Sequence, residues 1–453
     1  MENQEKTGLS DKLYIETYGC QMNIADSEVV ASILKEKGYV ITEDIQSANV
    51  ILVNTCSIRE NAEQRVWGRL DIFRQIKRRK PELIIGVIGC MAERLKEKLI
   101  DEEKAIDIVV GPDAYRDLPQ LLENAGTGQK AVNVILSREE TYADISPIRL
   151  DRNRISAFVS IMRGCNNMCS YCIVPYVRGA ERSREPKSIL AEIENLLKNG
   201  YKEVTLIGQN VDSYKWKSEN NEKVTFPQLL EMVAQISDQL RVRFSTSHPK
   251  DLSDDLLHTI NKYTNICKHI HLPAQSGSSR ILELMKRGYT REWYINRINS
   301  IKQIIPDCAV STDLMTGFPG ETEQDHADTL SLMKEVNYDF AYMFKYSERP
   351  NTYASRHLKD DILESVKSQR LTEIIDLQSE LSEKGKKLDL GKTFEVLVEG
   401  YSKKSRDFLF GRTSQNKVVV FPRLNHSVGD YVNVEIIDCT SATLIGEPTN
   451  KSK

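Results

Sequence analysis

MRGCNNMCSYC, residues 162–172, sets Cys165, Cys169 and Cys172 at C-x3-C-x2-C on one short loop, with no fourth cysteine in phase. A cubane iron–sulfur cluster normally takes four cysteine thiolates. Three leave one iron open to a small molecule, as a catalytic metal keeps an open position. The plainer alternatives are a zinc knuckle or three unrelated cysteines. ISAFVSIMRG, running into the loop, has the pattern of a strand, and strand-helix alternation continues beyond it. EVTLIGQN, RVRFSTSHP, KHIHLPAQSG, AVSTDLMTGFPG and YDFAYMFKYS supply five more strands, separated by helices such as SILAEIENLLKNGY and QDHADTLSLMKEV. Six parallel units over 151–385 predict a partial TIM-like barrel with its chemistry at the carboxyl ends of the strands. The cysteine loop follows the first strand, in keeping with that rule.

Upstream, over 12–128, the same alternation predicts a separate α/β domain, a doubly wound parallel sheet. LYIETYG, ANVILVNT and LIIGVIG are its strands. DSEVVASILKEKGY, entered through Asp26 or Ser27 as N-cap, ENAEQRVWGRLDIFRQIKRRK and MAERLKEKLI are its helices. Each strand ends in a cysteine: Cys20, Cys56 and Cys90, spaced 36 and 34 residues apart. The carboxyl ends of parallel strands share one edge, so three thiols converge there. Three separately buried small residues are the alternative. Beyond Lys387 the helices stop. TFEVLVEGYS, DFLFGRTS, KVVVFP, YVNVEIIDCT and ATLIGEP predict a small β-barrel over 386–449.

The 453 residues exceed one domain, and 40% hydrophobic with 28% charged residues describe a globular chain. Nine cysteines are too few for a disulfide scaffold, which leaves metal ligation as the better default. The polar start MENQEKTGLSDK has no apolar signal core, and no later stretch approaches the ~18 apolar residues of a membrane span. The expectation is a cytoplasmic protein with no membrane association. A net charge of −3 argues against a surface coated for nucleic acid. Local charge differs: between Gly400 and Asn425 stand Lys403, Lys404, Arg406, Arg412, Lys417 and Arg423 against Asp407 alone, a candidate RNA face.

The C-x3-C-x2-C loop, with aromatic Tyr171 before its last cysteine, resembles the signature of the radical S-adenosylmethionine superfamily. TYGCQMNIADSE, NTCSIRENAE, GCNNMCSYCIVPYVRGAERSR, IGQNVDSY, HLPAQSGSSRILELMKRGYT, TGFPGETE and GRTSQNKVVVF together resemble the MiaB family of tRNA methylthiotransferases, from about Lys12 to Pro448. The resemblance implies a methylthiotransferase domain, a radical domain and a C-terminal TRAM barrel. It implies two [4Fe-4S] clusters, a radical-generating one at Cys165, Cys169 and Cys172 and an auxiliary one at Cys20, Cys56 and Cys90. S-adenosylmethionine would serve as methyl donor and radical source, and the product would be 2-methylthio-N6-isopentenyladenosine beside the anticodon. The implied partners are the tRNA anticodon stem-loop and a flavodoxin- or ferredoxin-type electron donor, with the enzyme a monomer. The logic is chemical: an aromatic C–H is neither acidic nor electrophilic enough for acid-base catalysis, so sulfur insertion there demands a cofactor radical. Sister families act on threonylcarbamoyl-adenosine or on a ribosomal-protein aspartate; Gln21, Met22 and Asn23 after the first cysteine favour RNA.

Other residues carry weaker signals. Gln209 and Asn210, closing the second barrel strand, resemble groups that hold the methionine end of the cofactor, or are a polar turn. Gln275, Ser276 and Thr316, ending the fourth and fifth strands, are candidates for lining the same cavity, with Tyr171. Arg178, Arg182 and Arg184 suit a carboxylate or phosphate, or a surface ion-pair network. Lys77, Arg78, Arg79 and Lys80 end a helix as solvated caps. His269 and His271, alternating on one strand, are expected on opposite faces and not as joint ligands. Asn351 and Tyr353 stand where relatives often carry glycine and proline, which leaves that loop's backbone open.

Overall fold

All six residues of ANVILVNT's strand, Val50–Thr55, are buried, because it lies inside a parallel sheet covered on both faces. The structure, a computed structural model, describes residues 11–57, 60–151 and 153–449. Most of MENQEKTGLSDK, and Ile58 and Arg59 of NTCSIRENAE, therefore lie outside the described residues. The sheet comprises β1 (Lys12–Tyr18), β2 (Val40–Ile41), β3 (Val50–Thr55), β4 (Ile84–Gly89), β5 (Ile108–Val110) and β6 (Ala131–Asn133) in the order 2-1-3-4-5-6. The chain winds outward from β1 to β2, then returns to lay β3 on the other side of β1. That reversal opens a crevice at the carboxyl ends of β1 and β3. On one face Ile51, Val53, Ile85 and Val87 pack against Val66, Leu70 and Phe73 of the helix Glu60–Arg79. On the other, Val50, Leu52 and Ile88 meet Val30, Leu34 and Tyr115.

Three details differ from the sequence expectation. The strands β2, β5 and β6 went unread because two or three residues are too short to show a period. The first helix, Gln21–Glu36, starts earlier than Asp26: Cys20 is its N-cap and Asn23 completes a capping box, so Asp26 and Ser27 lie within the helix and are buried. MAERLKEKLI breaks at Lys96, whose φ of 53° separates Cys90–Leu95 from Glu97–Glu102 and lets Leu99 enter the apolar layer.

The described residues gather into two compact units, one holding those up to 150 with 162–166 and 173–184, the other 151–161, 167–172 and 185 onward. In the second unit all six expected strands are present: Ser156–Ser160, Glu203–Ile207 and Arg241–Ser245 in one parallel group, His269–His271, Ala309–Thr316 and Phe340–Lys345 in another. A parallel bridge from Val242 to Ile266 lies between the groups. Chain order is thus kept across a partial barrel. The five C-terminal strands, from Thr393–Tyr401 to Leu444–Pro448, close into a barrel around Val396, Leu409, Val419, Phe421 and Val434.

That small barrel is fixed to the amino ends of the larger barrel's strands. Glu203, fully buried, accepts from Arg243 Nε at 2.7 Å and from Arg412 Nη2 at 2.8 Å. Arg243 also donates to Thr413 O at 2.7 Å, Arg241 to Arg412 O at 2.6 Å, and Tyr431 OH to Lys202 O at 3.1 Å. Burial pushes the Glu203 carboxyl up, but Arg243 and Arg412 outweigh it and hold it below the ordinary value. A depressed carboxylate contributes its stability above the unfolded value of about 4.3. That contribution is lost as pH falls through the lower folded pKa. Glu203→Gln leaves the buried Arg243 without its counter-charge, while Arg412 keeps Glu399, and is expected to destabilise the second unit by about 3–5 kcal/mol at pH 7. Denaturant unfolding checks this, and the deficit should shrink toward pH 3.

Candidate functional site

Three strand ends bring Cys20, Cys56 and Cys90 to one edge of the first unit. Cys20 follows β1 and Gly19; Cys56 follows β3; Cys90 opens the helix after β4. The approach is close enough that a Cβ on Gly19 would sit 2.5 Å from Cys56 Cβ. Gly19 also takes φ +140°, and Gly89, with φ +89°, would put a Cβ 2.3 Å from Asn54 Oδ1. Only glycine fits either place.

A buried amide pair braces this edge. Asn23 Nδ2 donates to Asn54 Oδ1 at 2.9 Å; Asn54 Nδ2 donates to Asn23 O at 2.9 Å and to Ser27 Oγ at 3.0 Å. The Cys20 thiol donates to Asn23 Oδ1 at 3.2 Å. The Cys20 thiol is drawn down to about 6, first by a hydrogen bond with Cys56 and further by the charge of Arg178. Burial pushes the Cys90 thiol up, against the opposing pull of Arg178. An acidified thiol beside a second thiol and a fixed cation suits thiolate ligation of a metal–sulfur centre.

Arg178, Arg182 and Arg184 are buried rather than forming a surface network. Arg178 Nε donates to Cys90 Sγ at 3.2 Å and its Nη2 to Asp26 at 2.8 Å. Arg163 Nη1 takes the other Asp26 oxygen at 2.8 Å, and Arg182 Nη2 meets Asp113 at 2.9 and 3.0 Å. Asp26, Asn54, Asp113 and Arg163 escaped sequence reasoning. Nothing in a linear pattern marks a carboxylate whose partner lies about 150 residues on.

In the sequence loop 162–172, Cys165 belongs to the first unit, where its N–H donates to Gly179 O at 3.1 Å. Cys169 and Cys172 belong to the second unit, in a turn closed by Cys172 N–H to Cys169 O at 3.0 Å. Ser170 pins that turn, donating from N to Met285 O at 2.9 Å and from Oγ to Leu284 O at 2.8 Å. Arg287, buried and unread from sequence, donates to Cys169 Sγ at 3.3 Å, to Tyr171 OH at 3.5 Å and to Pro273 O at 3.1 Å. Tyr171 packs edge-on to Phe318.

At the carboxyl ends of the barrel strands, Gln209 Oε1, Asn210 Oδ1, Asp212 Oδ2, His248 Nε2 and Thr316 Oγ1 are buried with no hydrogen-bond partner among the described residues. Asn210 Nδ2 donates to Asp251 at 2.7 Å, and Ser247 Oγ to Asp212 Oδ1 at 3.0 Å. Burial pushes Asp212 up to about 8 and His248 down to about 2. Buried polar atoms left unmet among the described residues fit a polar ligand. Gln275, with φ 69°, spends its backbone on Asp313 O and Met315 N–H, and Ser276 Oγ lies 3.4 Å from Thr329 Oγ1.

His269 Nε2 and His271 Nδ1 both lie 2.9 Å from Ser311 Oγ, so they share a face. Residues two apart on a strand point the same way, which corrects the expectation of opposite faces. Lys77 reaches Asp107, and Lys80 Nζ donates to Ala48 O at 2.7 Å, both within the fold. Asn351 adopts φ 70°, a region asparagine tolerates, and Thr352 then caps the short helix Tyr353–His357. Among the described residues no three Cys, His, Asp or Glu side chains surround a single-ion position. No described helix is long and apolar enough to cross a membrane.

The basic C-terminal stretch divides. Arg412 turns inward to Glu203 and Glu399, and Lys417 to Asp389. Lys403, Lys404 and Arg406 stay exposed and line a groove of about 570 Å³ with Tyr401 and Phe410; Arg423 lies over the Tyr401 ring.

Residues 12–111 match the family described as "Uncharacterized protein family UPF0004", 159–333 the radical SAM superfamily and 387–449 the TRAM domain. The chain is 60% identical over 440 residues to the tRNA-2-methylthio-N(6)-dimethylallyladenosine synthase of Parabacteroides distasonis, covering 97% of this chain and 96% of that one. The protein of that name from Bacteroides fragilis is 58% identical over 436 residues, covering 96% and 95%. Among solved structures, the radical S-adenosylmethionine methyltransferase TsrM of Kitasatospora setae superposes with a TM-score of 0.56 at 14% identity, over 74% of this chain and 73% of that one. The cobalamin-dependent radical enzyme OxsB gives 0.53 at 12%, over 82% and 56%. Likeness at such identities carries the fold alone.

Proposed function

Because the chain belongs to the MiaB family of tRNA-2-methylthio-N(6)-dimethylallyladenosine synthases, we propose that it methylthiolates carbon 2 of N6-isopentenyladenosine beside the anticodon of tRNA. It is a radical S-adenosylmethionine methylthiotransferase. The carrying observation is near-full-length identity of about 60% in a chain with two separate three-cysteine sets. In our reading Cys165, Cys169 and Cys172 hold one [4Fe-4S] cluster, and Cys20, Cys56 and Cys90 a second. When bound, these clusters supply the electron that cleaves S-adenosylmethionine and the sulfur that is transferred.

The chain's own residues do the rest. Ser170 fixes the turn that presents Cys169 and Cys172, and Arg287 keeps a cation on the Cys169 sulfur. Gln209, Asn210 and Asp212 offer acceptors to the cofactor's ammonium, with Tyr171, Gln275, Ser276 and Thr316 bounding the same end of the barrel. Asp212, protonated near neutrality, would lose its proton beside that cation. The domains act over 12–128, 151–385 and 386–449, as a monomer in a reducing cytoplasm, served by a flavodoxin- or ferredoxin-type donor.

The groove of Lys403, Lys404 and Arg406 supports backbone binding of the tRNA. Lys403→Ala with Lys404→Ala should weaken tRNA binding and lower the slope of log K against log salt by about 2, with melting temperature unchanged. Filter binding from low to high salt measures this. The function itself is tested by nucleoside mass spectrometry of tRNA from a deletion strain. Loss of the methylthio group, with N6-isopentenyladenosine accumulating, is the expected result. An unchanged nucleoside profile rejects the proposal.

A further inference from the structure

Segment 173–184 belongs to the central sequence module yet folds into the first unit, and it carries Arg178. That guanidinium is only 3% exposed. Two of its nitrogens are engaged, Nε with Cys90 Sγ at 3.2 Å and Nη2 with Asp26 Oδ2 at 2.8 Å. Its Nη1 is buried with no acceptor among the described residues. Thr55 Oγ1 and Ser57 Oγ, on either side of Cys56, are likewise buried without a partner. Three potential donors beside the cysteine edge thus want acceptors that the described residues do not provide.

Charge points the same way. Arg163, Arg178 and Arg182 are buried and, among the described residues, pair with Asp26 and Asp113. An arginine does not shed its proton to escape burial. Thiolates of the three neighbouring cysteines around an anionic sulfur-containing centre would lie beside the fixed Arg178 cation.

Resting on the cluster assignment proposed above, we infer that Arg178 is a positioning residue for the centre held by Cys20, Cys56 and Cys90. Its Nε–H fixes the Cys90 sulfur, and its charge, together with the unmet donors at Nη1, Thr55 and Ser57, raises that centre's reduction potential. Hydrogen bonds to sulfur and net local charge are the established levers on such potentials. Asp26 works in opposition, since its carboxylate offsets part of the arginine charge.

The test uses the full chain with Cys165, Cys169 and Cys172 replaced by alanine, so that only the second centre remains. Anaerobic reconstitution, iron and sulfide analysis, and a redox titration followed by electron paramagnetic resonance are then compared across variants. With iron content retained, Arg178→Gln should lower the reduced-to-oxidised ratio at a fixed poise about tenfold, equivalent to about 59 mV for one electron. Arg178→Lys, which keeps the charge, should shift it less, and Asp26→Asn should shift it the other way. A loaded Arg178→Gln chain with an unchanged ratio overturns the inference. If that variant loads no iron, Asp26→Asn decides: a raised ratio supports the role and an unchanged one overturns it. A parent chain that takes up no iron overturns the cluster assignment, and this inference with it.

Discussion

Cys169→Ala is expected to reduce 5′-deoxyadenosine formation from S-adenosylmethionine to background, a loss of at least about a thousandfold, because the radical chemistry comes from the cofactor and not from side chains. The substitution removes a sulfur that Arg287 contacts at 3.3 Å but leaves the Ser170 bonds to Met285 and Leu284 that pin the turn. The variant should therefore melt within a few degrees of the parent. Cys267→Ala, at a buried thiol outside every motif, is the control that should keep its activity. Anaerobic assay with dithionite and chromatography of the nucleoside product measures both. Retained 5′-deoxyadenosine formation in the Cys169 variant would remove that cysteine from the radical centre.

Cys56→Ala should separate the two half-reactions. Cys56 is fully buried, and a hydrogen bond with it is the largest influence drawing the Cys20 thiol down to about 6. On the assignment proposed above, its loss takes away one cluster ligand. Methylthio transfer to tRNA should fall at least about a thousandfold, while reductive cleavage of S-adenosylmethionine stays within several-fold, since that step draws on a different cofactor site. Iron should drop from about eight to about four per chain, the complement of one cubane. Equal loss of both activities would contradict independent cysteine sets.

How much of this was legible in the chain follows from the range of each interaction. Val50–Thr55 is readable because a doubly covered parallel strand must be apolar throughout. The six strands of the partial barrel and the five of the small barrel show through their own periodicity, as do the cysteines at the strand ends. Asp26 is the opposite case. Its sequence neighbourhood proposes an N-cap, whereas its role is to hold Arg163 and Arg178 from inside the first helix. Arg287 likewise sits in a motif that names no partner for it. Asn351 looked anomalous only against a glycine; its left-handed φ is one that asparagine tolerates.

Attachment through Glu203 and Arg412 places the closed C-terminal barrel at the foot of the larger barrel, while the unmet polar atoms of Gln209, Asn210 and Asp212 lie at its head. The strand between, Glu203–Ile207, is about 16 Å long. A substrate that grips both ends must have at least that reach. If the small barrel holds RNA, that RNA must cover this span to present a base at the head, a reach that a folded hairpin has and a lone nucleoside lacks.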